Sequence, residues 1–595
     1  MFAENRSHRQ RDLFDDLLLS LPESKRAKAL ASREYAFYEE VFCRIEESAF
    51  AVLYPSRRGR PNRPVNAMVA ALVLRELRRF TYEQLFEAVD FDVLTRLALG
   101  LTDMSETPFC PATLFNFQQR LLAHEAATGE NLLEGAFASL TASQLKRFGV
   151  RTDIQRCDSF RAMSNIANYG RVRLLAEVLL RLLRVLPAAE RERFADLFGP
   201  YAEHGSDGFA HRLEDGAIPR ELKRLAGVYS RLHAELAGEC RDTEPFAMFE
   251  RVFREQFATE PDGTVRARPR KEVGSGALQS PDDPDAAYNA KNGRPQKGHK
   301  VNVVETANPG NDVNLITDVS TTPNNVHDGT MLADRMDGIG ERTPDLAEMH
   351  TDGGYGGAAL DPKMKEHGVL HAETGTRMGK ARVNMRYARS GDAYDVSCPG
   401  GQTVRGERTA RRWKAVFAEA ACADCPFRDE CPSRTHPGKR TFYFEESWAK
   451  SYLRSRNIER VPPERRTLRA NVEATMKQFT GCFNHKGKLR VRGLARTAMQ
   501  MLAAAIAINF GRIFRRRAAL RTCPATALAI LQAASGPLRT VHRLLRGASS
   551  RSQAAFGRFA RRIARSPTPT TAHPTEPRNP VQARMHPMLP ELAII

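Results

Sequence analysis

Three acidic side chains, Asp158, Asp352 and Glu473, stand where carboxylates could do chemistry on phosphodiesters. Phosphoryl transfer on DNA needs two divalent metal ions held by hard oxygen ligands, usually carboxylates from different elements. With 70 Asp plus Glu in the chain, a triad has no weight by itself, and its context must supply the specificity. Asp158 ends the alternating run Val150–Asp158 and is followed by the small polar residues Ser159, Ser164 and Asn165. Asp352 runs into Gly353-Gly354-Tyr355-Gly356-Gly357, where glycines let the chain turn sharply and leave the carboxylate at a sheet edge. A turn-forming Asp before Gly is the other reading of that position. Around Glu473, the residues Leu468, Val472, Met476, Phe479 and Phe483 fall on one face of a predicted helix, beside a second stripe of Arg466, Arg469, Glu473, Lys477 and Thr480. That second stripe is either a carboxylate flanked by cations at a working site or a solvated face laced by i, i+4 pairs.

A second constellation lies between the last two acids. The stretch 353–472 is too long for one loop and holds Cys398, Cys422, Cys425 and Cys431. A Cys-x2-Cys pair with a third thiol nearby and a fourth upstream fits a tetrahedral zinc site, although Cys425 and Cys431 are separated by five residues rather than two. Four thiolates would leave no open position, so such a zinc would be structural. Four reduced, unligated thiols are the alternative.

The elements that must position these groups follow from pattern. Residues 1–55 read as helical, with Leu13, Leu17, Leu18 and Leu21 ending before Pro22. A basic loop, Pro55–Pro64, then precedes a helix from Val65 and another opened by Thr81 with Gln84 in capping-box spacing. A further helix is suggested from Pro111 to Leu122. Short helices beside a basic loop are compatible with a helix-turn-helix-like DNA-binding unit, or with an ordinary bundle. Arg57, Arg58 and Arg60 in that loop read as a DNA-contacting arm or as a plain surface turn. Beyond Asp158 come an apolar helical block, Val172–Leu186, a charged helical stretch to about Thr259, and a Pro- and Gly-containing linker or exposed loop, Pro261–Pro295. Strand-like runs at His299–Thr306 and Asp312–Ser320, a helical segment Val326–Met336 and a short strand to Asp352 complete a mixed α/β order.

Ninety Lys plus Arg against 70 acids give a net charge of +20, which favours a polyanionic partner. The opening MFAENRSHRQRDLF lacks the apolar core of a signal peptide, and Ala498–Ile508 is far short of the ~20 residues needed to span a bilayer. Ten cysteines without a secretory signal argue against a disulfide framework. A cytoplasmic protein with access to DNA, and no membrane, is the expectation.

Several ordered blocks carry a family resemblance. GHKVNVVET, NLITDVSTTPNNVHD, HTDGGYGG, RRTLRANVEATMKQF and KLRVRGLARTAMQMLAAAIAINFGRI resemble in order the catalytic core of bacterial insertion-sequence DDE transposases. GRPNRPVNAMVAALVLRELRRFTYEQLFEAVDFDVLTRLALGL with PATLFNFQQRL looks like their helical N-terminal domain. The resemblance spans residues 40 to 515 and implies an α/β, RNase H-like mixed-sheet catalytic core with insertions, preceded by an all-α N-terminal domain. It divides the chain into a helical DNA-binding domain (1–130), a first core strand carrying Asp158 (145–165), a helical insertion and linker (166–295) and core strands carrying Asp352 (296–360). A Cys-containing insertion (361–460), core helices carrying Glu473 (461–515) and an Arg-rich, partly disordered tail (516–595) follow.

The resemblance further implies that Asp158, Asp352 and Glu473 hold two Mg²⁺ (or Mn²⁺) ions, that DNA is cut at transposon ends, and that the freed 3′-OH attacks target DNA. Self-association as a homodimer or higher oligomer would pair two ends. Arg469, Lys477 and Arg492 are expected at phosphates. In the family's Tyr-x2-Arg-x3-Glu-x6-Lys signature this chain keeps Arg469 and Glu473, but has Arg466 in the Tyr position and Thr480 in the Lys position, so Arg466 and Lys477 are expected to supply those contacts. The rival readings are a catalytically silent, transposase-derived DNA-binding protein and a nuclease that cuts without strand transfer.

Overall fold

The computed structural model describes residues 1–6, 8, 18–55, 60–101, 109–236, 238–291, 293–374 and 384–522. Residues Met1–Arg517 form one compact unit. Leu13, Leu17, Arg57, Arg58 and the tail beyond Thr522 lie outside the described residues.

The N-terminal part is helical, as its apolar period predicts. Helix α1 (Val65–Arg78) is buried along nearly its whole length. Thr81 caps α2 (Tyr82–Phe91) through a full capping box with Gln84, which satisfies backbone donors at both ends of the motif. Helices α3 (Pro111–Thr128) and α4 (Leu132–Phe148) each end on a left-handed glycine, Gly129 at φ 78° and Gly149 at φ 59°.

Five strands then build the central sheet: β1 (Ile154–Met163), β2 (Arg294–Thr306), β3 (Ile316–Pro323), β4 (Glu348–Asp352) and β5 (Leu370–Thr374). Their spatial order is β3-β2-β1-β4-β5. β1, β2 and β3 pair antiparallel, whereas β4 runs parallel to β1, and β5 to β4. This is the RNase H-like arrangement. A short strand, Ala287–Lys291, also pairs with the first half of β2.

Alternation along β1 sorts its side chains. Cys157 enters an apolar layer with Val304, Met349 and the short helices after β3 and β4. Arg156 and Phe160 meet the opposite layer: Arg156 donates to the Leu468 carbonyl at 3.0 Å, and Phe160 packs on Phe479 at 5.5 Å between ring centroids. That layer holds α5 (Val472–Gln478), continuous with 3-10 turns on both sides, and the 29-residue α6 (Leu494–Thr522). The predicted apolar stripe is confirmed, with Val472 and Phe479 buried and Leu468, Met476 and Phe483 half-buried. Within α6, Met501–Ala507 is buried against α1 and the sheet, so its length and apolar composition serve a core.

Two insertions have cores of their own. Helices between Arg171 and Gln256 enclose one around Leu175, Leu179, Tyr229 and Phe249. Two small antiparallel sheets within 386–444 enclose another around Tyr394, Trp413, Phe442 and Phe444.

The segment 261–295, expected as a linker or exposed loop, is instead partly packed into the core. Leu278, Ser280, Asp283 and Ala286 are buried, and Asp283 accepts from Ser164 and lies 3.1 Å from His299 Nε2. Proline and glycine mark turns there, but the buried polar partners hold those turns against the sheet.

Candidate active site

Asp158 lies in the middle of β1 opposite Val303, and Asp352 at the C-terminal end of β4, the strand beside it. The parallel pairing therefore delivers two carboxylates from neighbouring strands to one place. Asp158 is largely buried, and burial pushes its carboxyl above the usual range, against the pull of Arg469. Its Oδ1 accepts from the Ser159 amide at 2.8 Å. Asp352 Oδ1 accepts from the Gly354 amide at 2.9 Å, and a side-chain carbon at Gly354 would stand 3.0 Å from that same oxygen. A larger residue there would press on that oxygen and require it to shift. Tyr355 anchors the turn from within: its hydroxyl donates to Asn302 at 2.6 Å in the buried layer.

Arg469 joins the two acids. Its Nη2 lies 2.9 Å from Asp158 Oδ2 and 3.8 Å from Asp352 Oδ2. Glu473 follows one turn later in the first turn of α5, exposed and with no ion pair or hydrogen bond among the described residues. Among the described residues no group of three or more His, Cys, Asp or Glu side chains is gathered closely enough to hold a metal as placed. The donor set nevertheless fits hard divalent cations: oxygen ligands on two adjacent strands, already drawn around a positive charge.

Beneath these groups runs a buried network that no local sequence pattern singles out. Glu305 on β2 is fully buried and is met by Arg156 at 2.6 Å, Arg512 at 2.7 Å and the Thr475 hydroxyl at 2.7 Å. It ties α5 and α6 to the sheet and so sets the height of Glu473 over β1. Elsewhere in the sheet, Glu373 of β5 is buried beside Arg454 at 3.3 Å, and burial pushes its carboxyl up to about 7. A buried acid on a strand has no sequence signature until its partners are known.

The other expected residues are distributed as follows. Lys477 is exposed on α5 without a partner among the described residues. Arg466 donates to the carbonyls of Val461 at 2.9 Å and Glu459 at 3.1 Å, a bracing of the local chain rather than a free cation. Arg492 is exposed and donates to the Asn165 carbonyl at 2.7 Å. Arg60 is exposed and lines a cleft with Arg63 and Arg120.

Cys398, Cys422, Cys425 and Cys431 line one small cavity in the insertion. A side-chain carbon at Gly400 would touch Cys425 Sγ at 3.0 Å and Cys398 Sγ at 3.6 Å. Burial, then the neighbouring thiols, raise the Cys422 thiol, opposed by Arg440. The donors are those of a thiolate zinc site, though not drawn in to ligating distance.

Two family models match the chain. "Transposase DDE domain" matches residues 397–514, a span that includes the four cysteines and Glu473 but neither Asp158 nor Asp352. "Transposase domain (DUF772)" matches residues 27–120. No curated protein and no solved structure matches.

Proposed function

We propose that the chain, matched by two transposase family models, is an insertion-sequence DDE transposase that cuts DNA at the ends of its element and joins the freed 3′-OH to target DNA. The observation that carries this reading is the meeting of Asp158 and Asp352, from adjacent parallel strands, at one guanidinium nitrogen of Arg469. Asp158, Asp352 and Glu473 would hold two Mg²⁺ (or Mn²⁺) ions, which supply activation of the attacking oxygen and charge relief at the leaving one. Arg469 keeps the two carboxylates from repelling each other and can turn to a phosphate once they are otherwise neutralised. Lys477, one turn beyond Glu473, adds positive charge along the same helix.

Residues 1–130 recognise the terminal inverted repeats, Arg57, Arg58 and Arg60 lie on that DNA-binding part, and a homodimer or higher oligomer pairs two ends in the cytoplasm. Cys398, Cys422, Cys425 and Cys431 hold a structural Zn²⁺.

The test is a strand-transfer assay on short duplexes carrying the element's own ends, with Mg²⁺ or Mn²⁺. Wild type should give joined products. Asp158→Ala, Asp352→Ala and Glu473→Ala should each reduce cleavage to background while DNA binding persists, and the losses should not add, since the acids act as a unit. Cleaved but never joined ends would make the chain a nuclease; binding without cleavage would make it catalytically silent.

A further inference from the structure

Helix α3 has two unlike sides. Leu114, Phe117 and Leu121 are buried, Phe115 meets Tyr82 of α2 at 4.9 Å between ring centroids, and the Tyr82 hydroxyl bonds to Gln118 at 2.9 Å. Over the first three turns the other side is open: Ala112, Asn116, Gln119 and Arg120 are exposed, and Phe115 is partly so. Asn, Gln and Arg carry the paired donors and acceptors that match base edges in the major groove, and an apolar neighbour suits a thymine methyl.

A cation-lined cleft flanks this stripe on each side. One, of about 580 Å³, is lined by Arg60, Arg63, Asn116 and Arg120, with no acid among the described residues of its lining. The other, of about 480 Å³, is lined by Gln119, Asn165, Arg492 and Arg496. Glu76, the one acid among its described lining residues, is already paired with Arg75 and Arg490. Arg60, Arg63 and Arg496 form no side-chain ion pair among the described residues. Arg120 is held over the Tyr54 ring at 4.9 Å. A helix of ~10–12 Å diameter fills a major groove ~12 Å wide, which leaves the flanking clefts to the two phosphate strands.

Resting on the proposed function, we infer that α3 is the recognition helix: Asn116, Gln119 and Arg120 read base edges of the terminal repeat, while Arg60 with Arg63, and Arg492 with Arg496, grip the backbones on either side. Phosphate contacts fix the register, and the helix face supplies the sequence preference. Arg492 and Arg496 belong to the chain segment that also builds the catalytic layer, so the same grip aligns the repeat with the acids.

The test is selection of bound duplexes from a random-sequence pool with the full chain. Wild type should enrich a consensus. Asn116→Ala and Gln119→Ala should each relax one or two base positions and lower the ratio of specific to random binding on the order of 5- to 150-fold. Asn116→Arg should shift its position toward guanine, a gain that a misfolded variant cannot give. The pairs Arg60→Ala/Arg63→Ala and Arg492→Ala/Arg496→Ala should weaken all sequences alike and flatten the salt dependence by about one counterion for each phosphate left without its arginine. Retention of the wild-type consensus by all three helix variants overturns the inference, as does a wild type that enriches none. In the strand-transfer assay the two readings separate: joined ends with an unmoved consensus remove the recognition helix alone, and an enriched consensus without cleavage removes the chemistry alone.

Discussion

Arg469 shows how one side chain can serve opposite needs at a single place. Two carboxylates brought together without a counter-charge would repel, and Asp158 is already disfavoured as an anion by its burial. A guanidinium nitrogen 2.9 Å from one and 3.8 Å from the other offsets part of that penalty and relieves the repulsion between the two acids. In the sequence, Arg469 is legible as a cation one turn before Glu473, suited to a phosphate. Its contact with both acids depends on which strands are neighbours, and no local pattern encodes that.

Glu373 offers a test of burial at the same scale. Its carboxyl, ordinarily near 4.5, is raised to about 7, first by burial. A raised carboxyl favours folding most below the unfolded value, and that contribution is lost as pH climbs from about 4.5 to about 7. Glu373→Gln should therefore match wild type near pH 4 and exceed it by roughly 1–3 kcal/mol above pH 7.5, as read by urea denaturation across pH. Equal stability of the two proteins at pH 8 would mean that Glu373 ionises without cost.

At the scale of elements, the sheet was legible where alternation and glycine punctuation agreed. The runs around Asp158, His299–Thr306 and Asp352 all became strands. The helix bearing Glu473 was legible from its apolar stripe. The packing of 261–295 was not, because turn-forming composition looks the same on the surface and over a sheet. Nor was Glu305, whose three partners come from β1, α5 and α6.

Removing Glu305 should expose what it holds. Glu305→Ala leaves Arg156 and Arg512 buried without their counter-ion and should cost about 3–5 kcal/mol in chemical denaturation, with Glu305→Gln costing less. A loss below about 1 kcal/mol would place the hold on α5 and α6 elsewhere. The cysteine insertion makes a separate prediction. Protein purified without chelators should carry about one zinc per chain, and Cys422→Ser or chelation should loosen the 386–444 sheets without displacing Asp158 or Asp352. Metal analysis that finds no zinc would leave four reduced thiols.

Across the whole molecule, the N-terminal helices and the central sheet do not own separate cores. Phe37, Met68, Leu72 and Phe117 share one apolar cluster with Val301, Val319, Met501 and Phe510. The sequence showed both parts but could not show the sharing, because apolar periodicity marks which face is buried and not against what. A fragment of residues 1–130 expressed alone should consequently be insoluble or molten, with weak near-UV circular dichroism; a cooperative thermal transition from that fragment would contradict the shared core.

Joint ownership of one core also sets a schedule for the chain's birth. Helix α1 leaves the ribosome early, yet the α6 residues that cover it emerge more than four hundred residues later. At ~5–20 residues per second its apolar surface waits about 20–90 s for its partner. During that interval the apolar face of α1 is open to chaperones and proteases, and a product truncated before α6 would lack the residues that cover it. Completion of the shared core therefore waits on the ribosome reaching the far side of Phe510.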